Sequence, residues 1–255
     1  MSVNYPRHLG GAFADVDVVR NYRYRQPYPP EVFAVLETLL VAPFNVLDVG
    51  CGTGELTYGL ARFATRVDAV DPSEAMIREA QRAGTDERIH WIVGRAEDVS
   101  LAPPYGLITA GASIHWMDPE IVMPRFKAAL APGAKLAIVD SESIYPEGEP
   151  WRVEFIGVIR RYSPIHHDDL AALLKEFETS GRFVREGERA TVPVTYEQSI
   201  DDYMAMLAST SSLSHVTLGA RFDDFVREAR AVFARHSLTA VRAQLVAGVV
   251  WGRPR

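Results

Sequence analysis

The chain has 255 residues, 47% apolar and 24% charged, and its 27 basic and 33 acidic side chains leave a net charge of −6. That is the composition of a soluble globular protein large enough to bury a sizeable core, and the mild acidity without a long basic run argues against nucleic acid or an anionic membrane as partner. A single cysteine, Cys51, excludes an intrachain disulfide and a cysteine-rich metal site, no run of 18 apolar residues occurs, and the opening M-S-V-N-Y-P-R-H-L lacks a signal peptide's apolar centre, so a cytoplasmic protein is expected.

Residues 10–30 are rich in aromatics, Arg and Pro. Pro29 and Pro30 then open a helix to Leu40, since proline is tolerated in a first turn, with Val32, Phe33, Leu36, Leu39 and Leu40 as its apolar stripe. Val46, Leu47 and Val49 form an apolar run too short for a helix, which predicts a buried strand. Gly50, Gly52 and Gly54 follow at alternate positions, and L-T-Y-G-L-A-R-F reads as a helix beyond them. Strand, glycine loop and helix start form the opening unit of a nucleotide-binding α/β sheet: glycine permits close approach of a ligand to the backbone, and the helix start offers unpaired N–H groups. The dinucleotide fingerprint spaces its glycines G-x-G-x-x-G to seat a pyrophosphate. Here the spacing is G-x-G-x-G, and Asp48 stands two residues before the first glycine. A carboxylate there suits a ligand carrying an ammonium group better than a diphosphate.

The stretch F-N-V-L-D-V-G-C-G-T-G (44–54) resembles motif I of the class I S-adenosylmethionine-dependent methyltransferases. The resemblance implies that Asp48, Gly50, Cys51, Gly52 and Gly54 hold the amino-acid end of S-adenosyl-L-methionine, with S-adenosyl-L-homocysteine as product and no metal. Upstream, Y-R-Y-R-Q-P-Y-P (22–29) resembles the Y-x-x-R-P-x-Y-P segment of a small-molecule branch that includes trans-aconitate methyltransferase and antibiotic-pathway N-methyltransferases; Gln26 replaces its first proline. By that resemblance Arg25 covers the cofactor, while Tyr22 and Tyr28 line the acceptor pocket and Tyr22 is a candidate for catalysis. The other reading is a surface arm whose tyrosines staple it to the sheet.

R-V-D-A-V-D (66–71) reads as a second strand, and Asp71 falls 21 residues after Gly50, near the spacing that places a carboxylate on ribose hydroxyls. Asp71 could also cap the helix begun by Pro72-Ser73-Glu74. Pro72 is carried over as a cofactor neighbour, and Met76 packs on the adenine or in the core. After the third strand, I-H-W-I-V (89–93), the resemblance puts Ala96 and Glu97 against the adenine and its exocyclic amine, with Asp98 either a second acid or a solvated neighbour. Ala102-Pro103-Pro104-Tyr105 superficially resembles the N/D-P-P-Y signature of amino-group methyltransferases, but it precedes the fourth strand (106–110), where that signature cannot reach the transferred methyl; it is read as a turn. Gly111 to Glu120, G-A-S-I-H-W-M-D-P-E, resembles the branch's A-x-A-x-H-W-x-D segment at the cofactor's reactive end. Gly111 then faces the cofactor, and His115 and Trp116 face the acceptor. His115 is a candidate base because imidazole titrates near neutrality; the alternative is a structural His-Trp pair closing the loop. Asp118-Pro119 starts a helix bent by Pro124 and ended by Pro132-Gly133, and Ala134 to Asp140 is the fifth strand.

Trp151, Phe155, Val158, Ile159 and Tyr162 recur at helical spacing, as core or, for Trp151 and Phe155, as acceptor-pocket walls, and Arg152, Arg160 and Arg161 would suit an acidic acceptor. His166-His167-Asp168 is read as a helix start capped by Asp168 or Asp169 rather than a metal site. Arg182 to Thr195 alternates as a sixth strand with Val184, Val192 and Val194 inward. Helices follow from Ile200, carrying Tyr203, Met204 and Leu207, and from Phe222 to Phe233. The first ends in L-A-S-T-S-S, where relatives carry a T-W-S-like segment. Leu245 to Trp251 closes the sheet, antiparallel between strands five and six.

The expected architecture is α/β: a three-layer, seven-stranded, mostly parallel Rossmann-like sheet with an antiparallel strand and a helical cap. Residues 1–43 form a lid segment and first helix, 44–140 the cofactor core, 141–181 the cap, and 182–255 the completion of the sheet with further cap helices. The resemblance implies O- or N-methylation of a small-molecule acceptor by a monomer or homodimer. A non-catalytic binder of the cofactor or its product, and a macromolecule methyltransferase, are the alternatives.

Overall fold

The computed structural model describes residues 7–163 and 170–255, so the His166-His167-Asp168 reading and its Asp169 alternative lie outside the described residues. Helices α1 (Val16–Tyr22) and α2 (Glu31–Leu39) precede the sheet. Then come β1 (Asn45–Val49), α3 (Glu55–Leu60), β2 (Arg66–Asp71), α4 (Glu74–Ala83), β3 (Ile89–Val93), β4 (Tyr105–Gly111), α5 (Pro119–Ala129) and β5 (Leu130–Ile144). The second half holds α6 (Pro150–Tyr162), α7 (Leu170–Thr179), β6 (Phe183–Ala190), β7 (Val194–Ser199), α8 (Ile200–Ala208), α9 (His215–Leu218), α10 (Phe222–Arg235) and β8 (Ala240–Pro254). None of the described helices is long and apolar enough to cross a membrane.

The strands lie in the order β3-β2-β1-β4-β5-β8-β6, with β7 also paired to β8. The first five are parallel, and β8 runs antiparallel to β5, β6 and β7. Alternation along each strand divides the core. Val46, Val67, Leu107 and Val139 meet Leu36 and Leu60 on one face, while Leu47, Val70, Ile108 and Ile138 meet Met123, Phe126 and Phe177 on the other. Continuous apolar runs are what a parallel strand covered on both faces requires.

The sheet has eight strands rather than the seven expected. The stretch read as one sixth strand is two, β6 and β7, and Val192 (70% exposed) and Val194 (41%) point outward. The break has a local cause. Thr191 N–H still donates to the Ala247 carbonyl, but Ala247 N–H donates back to the Thr191 hydroxyl, Val192 N–H donates to Glu31 at 2.7 Å, and Pro193 has no N–H to give a ladder. A smaller correction concerns β5, which pairs with β4 from Leu130, ahead of Pro132-Gly133.

A third core belongs to the cap. Trp151 and Phe155 of α6 are buried against Phe233 of α10, with ring centroids 5.8 and 5.0 Å away, and Tyr203 of α8 lies 5.8 Å from Phe155. Of the two readings of these rings, core or pocket wall, the packing matches the first: α6 turns its apolar stripe toward α8 and α10, which bring aromatics to meet it.

The cap of α4 also differs from the Asp71 alternative. Ser73 is its N-cap; its Oγ accepts from Met76 N–H at 3.2 Å and donates to the Phe13 carbonyl at 2.7 Å. Ser73→Ala is expected to cost about 1 kcal/mol, the usual value of an N-cap, measured as a lower urea midpoint at unchanged slope.

Candidate active site

The glycine loop is laid across the end of β2: Gly50 and Cys51 N–H both donate to the Val70 carbonyl, at 2.7 and 3.0 Å. Gly50 has φ +67°, and a Cβ there would stand 2.5 Å from Ser113 Cβ. Ser113 cannot retreat cheaply, because its Oγ donates to the Val49 carbonyl at 2.7 Å. Positive φ and a wall of side chain together require glycine.

Two carboxylates flank the loop. Asp71 is buried; Gly52 N–H donates to its Oδ2 at 2.9 Å and Ser73 N–H to its Oδ1 at 2.8 Å. Burial raises its pKa, opposed by the two N–H donors. An ionised carboxylate accepts about four hydrogen bonds, so roughly two sites remain. Asp48 is fully buried in β1 and accepts from Thr57 Oγ1 at 2.6 Å and Thr109 Oγ1 at 2.8 Å. Burial pushes its carboxyl up to about 6 despite both hydroxyls.

The segment after α1 straps over this end of the sheet. Arg25 lies over the Tyr22 ring at 4.5 Å and donates to Ser209 Oγ (3.0 Å) and the Ser209 carbonyl (2.9 Å). Ser209 belongs to L-A-S-T-S-S, so that segment holds the strap without a tryptophan. Gln198 Nε2 donates to the Tyr24 carbonyl at 2.7 Å, Ser143 Oγ to Gln26, and Tyr28 N–H to Glu55 Oε1 at 2.7 Å. Burial first, then neighbouring Tyr22 and the carboxylates of Glu55, Asp48 and Asp140, holds the Tyr28 hydroxyl well above its ordinary pKa. Gly111 passes beneath it; a Cβ there would be 2.8 Å from the Tyr28 oxygen.

Beneath the strap lies a cavity of about 240 Å³ that brings together Tyr22, Arg25, Tyr28, Asp48, Gly50, Cys51 and Gly111. It is also lined by Glu55, Asp140 and Met206, which sequence reasoning did not single out. Glu55 directly follows the last loop glycine, and Asp140 lies one residue beyond the end of the β4–β5 ladder, two positions that could have been read as facing a ligand. A second cavity of about 130 Å³ adjoins it, lined by Ser113, Ile114, His115 and Leu173, and the two share Ala112 and Asp140.

His115 departs from the expectation of a group titrating near neutrality. Burial, then the charge of Arg25, lowers its pKa to about 4, so it is neutral at pH 7. Its ring centroid is 4.8 Å from that of Trp116, which meets Phe13 edge-on at 5.6 Å. The remaining cofactor candidates, Pro72, Met76, Ala96 and Glu97, line neither of these two cavities. Met76 is buried within α4, Pro72 is exposed, and the Ala96 carbonyl accepts from Arg125 Nε at 3.1 Å. Glu97 accepts from Asp118 N–H at 3.0 Å and Arg95 at 3.1 Å; burial raises its pKa, but these donors outweigh it and hold the carboxyl below its usual range.

Residues 46–133 match the family model described as a methyltransferase domain. An uncharacterized methyltransferase of Mycobacterium tuberculosis (strain ATCC 25618 / H37Rv) is 35% identical over 118 residues, 46% of this chain and 47% of the relative. The trans-aconitate 2-methyltransferase of Variovorax paradoxus is 41% identical over 101 residues, 37% of each chain. The chain thus spans about half the length, or less, of the curated relatives it matches. The fold extends further. A solved structure from Anaeromyxobacter dehalogenans, proposed as a type II methyltransferase, aligns over 91% of this chain and 99% of its own at TM-score 0.63 and 24% identity. The YcgJ protein of Bacillus subtilis aligns over 88% and 98% at TM-score 0.54 and 18% identity. The glycine loop, Asp48 and Asp71 all lie inside residues 46–133, the segment that matches the methyltransferase-domain model.

Proposed function

We propose that the chain transfers the methyl group of S-adenosylmethionine to a small-molecule acceptor. The observation that carries this reading is the strapped cavity at the carboxyl ends of β1 and β4, lined by Asp48, Gly50, Cys51 and Arg25, with the His115 cavity beyond. The donor set fits the cofactor. Asp71 retains acceptor capacity for two ribose hydroxyls, Asp48 and Glu55 offer negative charge to an ammonium, and Arg25 offers positive charge to a carboxylate. The cofactor supplies a methyl carbon activated by its sulfonium; the chain's own residues bind, orient and exclude water. Positioning of this kind can contribute roughly 7–11 kcal/mol at best. A cavity of about 240 Å³ closed by Arg25–Ser209 suits a small acceptor better than a macromolecule, and the relative named for trans-aconitate supports the same class.

Calorimetry and an acceptor screen test the proposal together. Adenosylmethionine and adenosylhomocysteine should bind and NADH should not, and small acceptors should release adenosylhomocysteine with a gain of one methyl group by mass. Binding of NADH alone would overturn the reading, and cofactor binding without turnover on any acceptor would leave a non-catalytic binder.

A further inference from the structure

Asp140 stands where the two cavities meet. The β4–β5 ladder ends one residue earlier, at Gly111↔Val139, so no β4 side chain lies beside it. On the other flank Asp140 pairs with Gly248 of β8. Directly paired residues share a face, and Gly248 has no side chain with which to cover the carboxylate. Among the described residues no ion pair is formed with Asp140; the backbone N–H of Ser141 is its hydrogen-bond donor. Burial, with Glu142 nearby, keeps its pKa raised against that donor.

Among the described residues, Arg25 is the cation that lines the larger cavity, and the reading above assigns its charge to the cofactor's carboxylate. Glu55 and Asp48 line the larger cavity, His115 in the smaller one is neutral, and the Arg25 guanidinium is held by Ser209. A carboxylate acceptor at the junction would meet acids with, among the described lining residues, no cation beyond the one already matched to the cofactor. A cation would meet a carboxylate short of partners, in surroundings where charge is poorly screened.

Resting on the methyl-transfer reading above, we infer that the acceptor is an amine and that Asp140 receives its ammonium group at the junction of the two cavities. One N–H proton passes to a carboxylate oxygen of Asp140 and on to solvent. The nitrogen lone pair so freed forms the bond to the methyl carbon, and the electrons of the broken carbon–sulfur bond stay on sulfur.

The test is calorimetry of the adenosylhomocysteine-loaded protein with three probes of similar size, 2-phenylethylamine, 2-phenylethanol and phenylacetate. The amine is expected to bind at least tenfold tighter than the other two. Asp140→Asn should abolish that preference, and Asp140→Glu, which restores the charge, should retain it; melting curves check that both variants fold. Absent amine binding, acid binding as tight as that of the amine, or a preference that survives Asp140→Asn would overturn the inference. Failure of wild-type protein to bind adenosylhomocysteine at all would instead sink the methyltransferase reading, so the two failures are distinguishable.

Discussion

Asp71→Ala is expected to weaken adenosylmethionine binding by roughly 2–3 kcal/mol, about 30- to 150-fold, measured by calorimetry. Two losses combine. The carboxylate would no longer accept from the ribose hydroxyls, and the N–H groups of Gly52 and Ser73, which it orients at 2.9 and 2.8 Å, would lose their partner. Gly52 lies in the glycine loop, so the damage would reach that loop as well as the proposed ribose site. Asp71→Asn separates the two roles: its amide oxygen can accept only part of what the carboxylate does, so affinity should fall between wild type and alanine. Full affinity in Asp71→Ala would leave the residue a loop fastener.

Asp48→Asn is expected to stabilise the protein at pH 7.5 by up to about 3 kcal/mol while weakening cofactor binding. The carboxyl rises from 3.8 to about 6 on folding, so the folded chain holds the proton more tightly than the unfolded chain. Stability from this group is therefore greatest at acid pH and falls as pH climbs from about 4 to about 6; beyond that the full cost of a buried charge is present, and about two pKa units correspond to about 3 kcal/mol. Asparagine removes the charge and can still pair with Thr57 and Thr109, whose hydroxyls donate or accept. Melting temperatures of the two proteins should converge near pH 4 and separate above pH 6. A constant gap across that range would show that Asp48 does not titrate with folding. The cost is functional in sense: the buried charge stands beside the cavity proposed for the cofactor's ammonium.

What the sequence disclosed follows how locally each feature is encoded. β1, β2 and β4 were legible because strands covered on both faces need apolar residues at successive positions, and Gly50 because its left-handed φ is a local requirement. The antiparallel strand between β5 and β6 was legible too, from its apolar run near the end of the chain. The break between β6 and β7 was not, since Val192 and Val194 look inward by pattern, yet Glu31, some 160 residues upstream, takes the N–H that a ladder would need. For Trp151 and Phe155 core and pocket wall both stayed open, because a stripe shows that a helix face is covered, not what covers it; α10 covers it from about 80 residues away. For His115, its type suggested titration near neutrality, whereas burial and Arg25, both products of the folded strap, keep it neutral. The Arg25–Ser209 tie was likewise invisible, because serine at a helix end carries no signal of a distant guanidinium.

The long strand β8 is a spine held in common. Its later residues, Gly248 to Gly252, bond to β5 beside the parallel strands, and its early residues, Ala240 to Leu245, carry β7, from which α8 departs to pack with α6 and α10. The parallel strands and the α6–α8–α10 cluster therefore cannot come apart without tearing one continuous ladder, which couples the fortunes of both. Remodelling of acceptor preference is confined by the same fact: helix faces may be rewritten freely, whereas a proline introduced along this strand would be felt at both ends of the molecule.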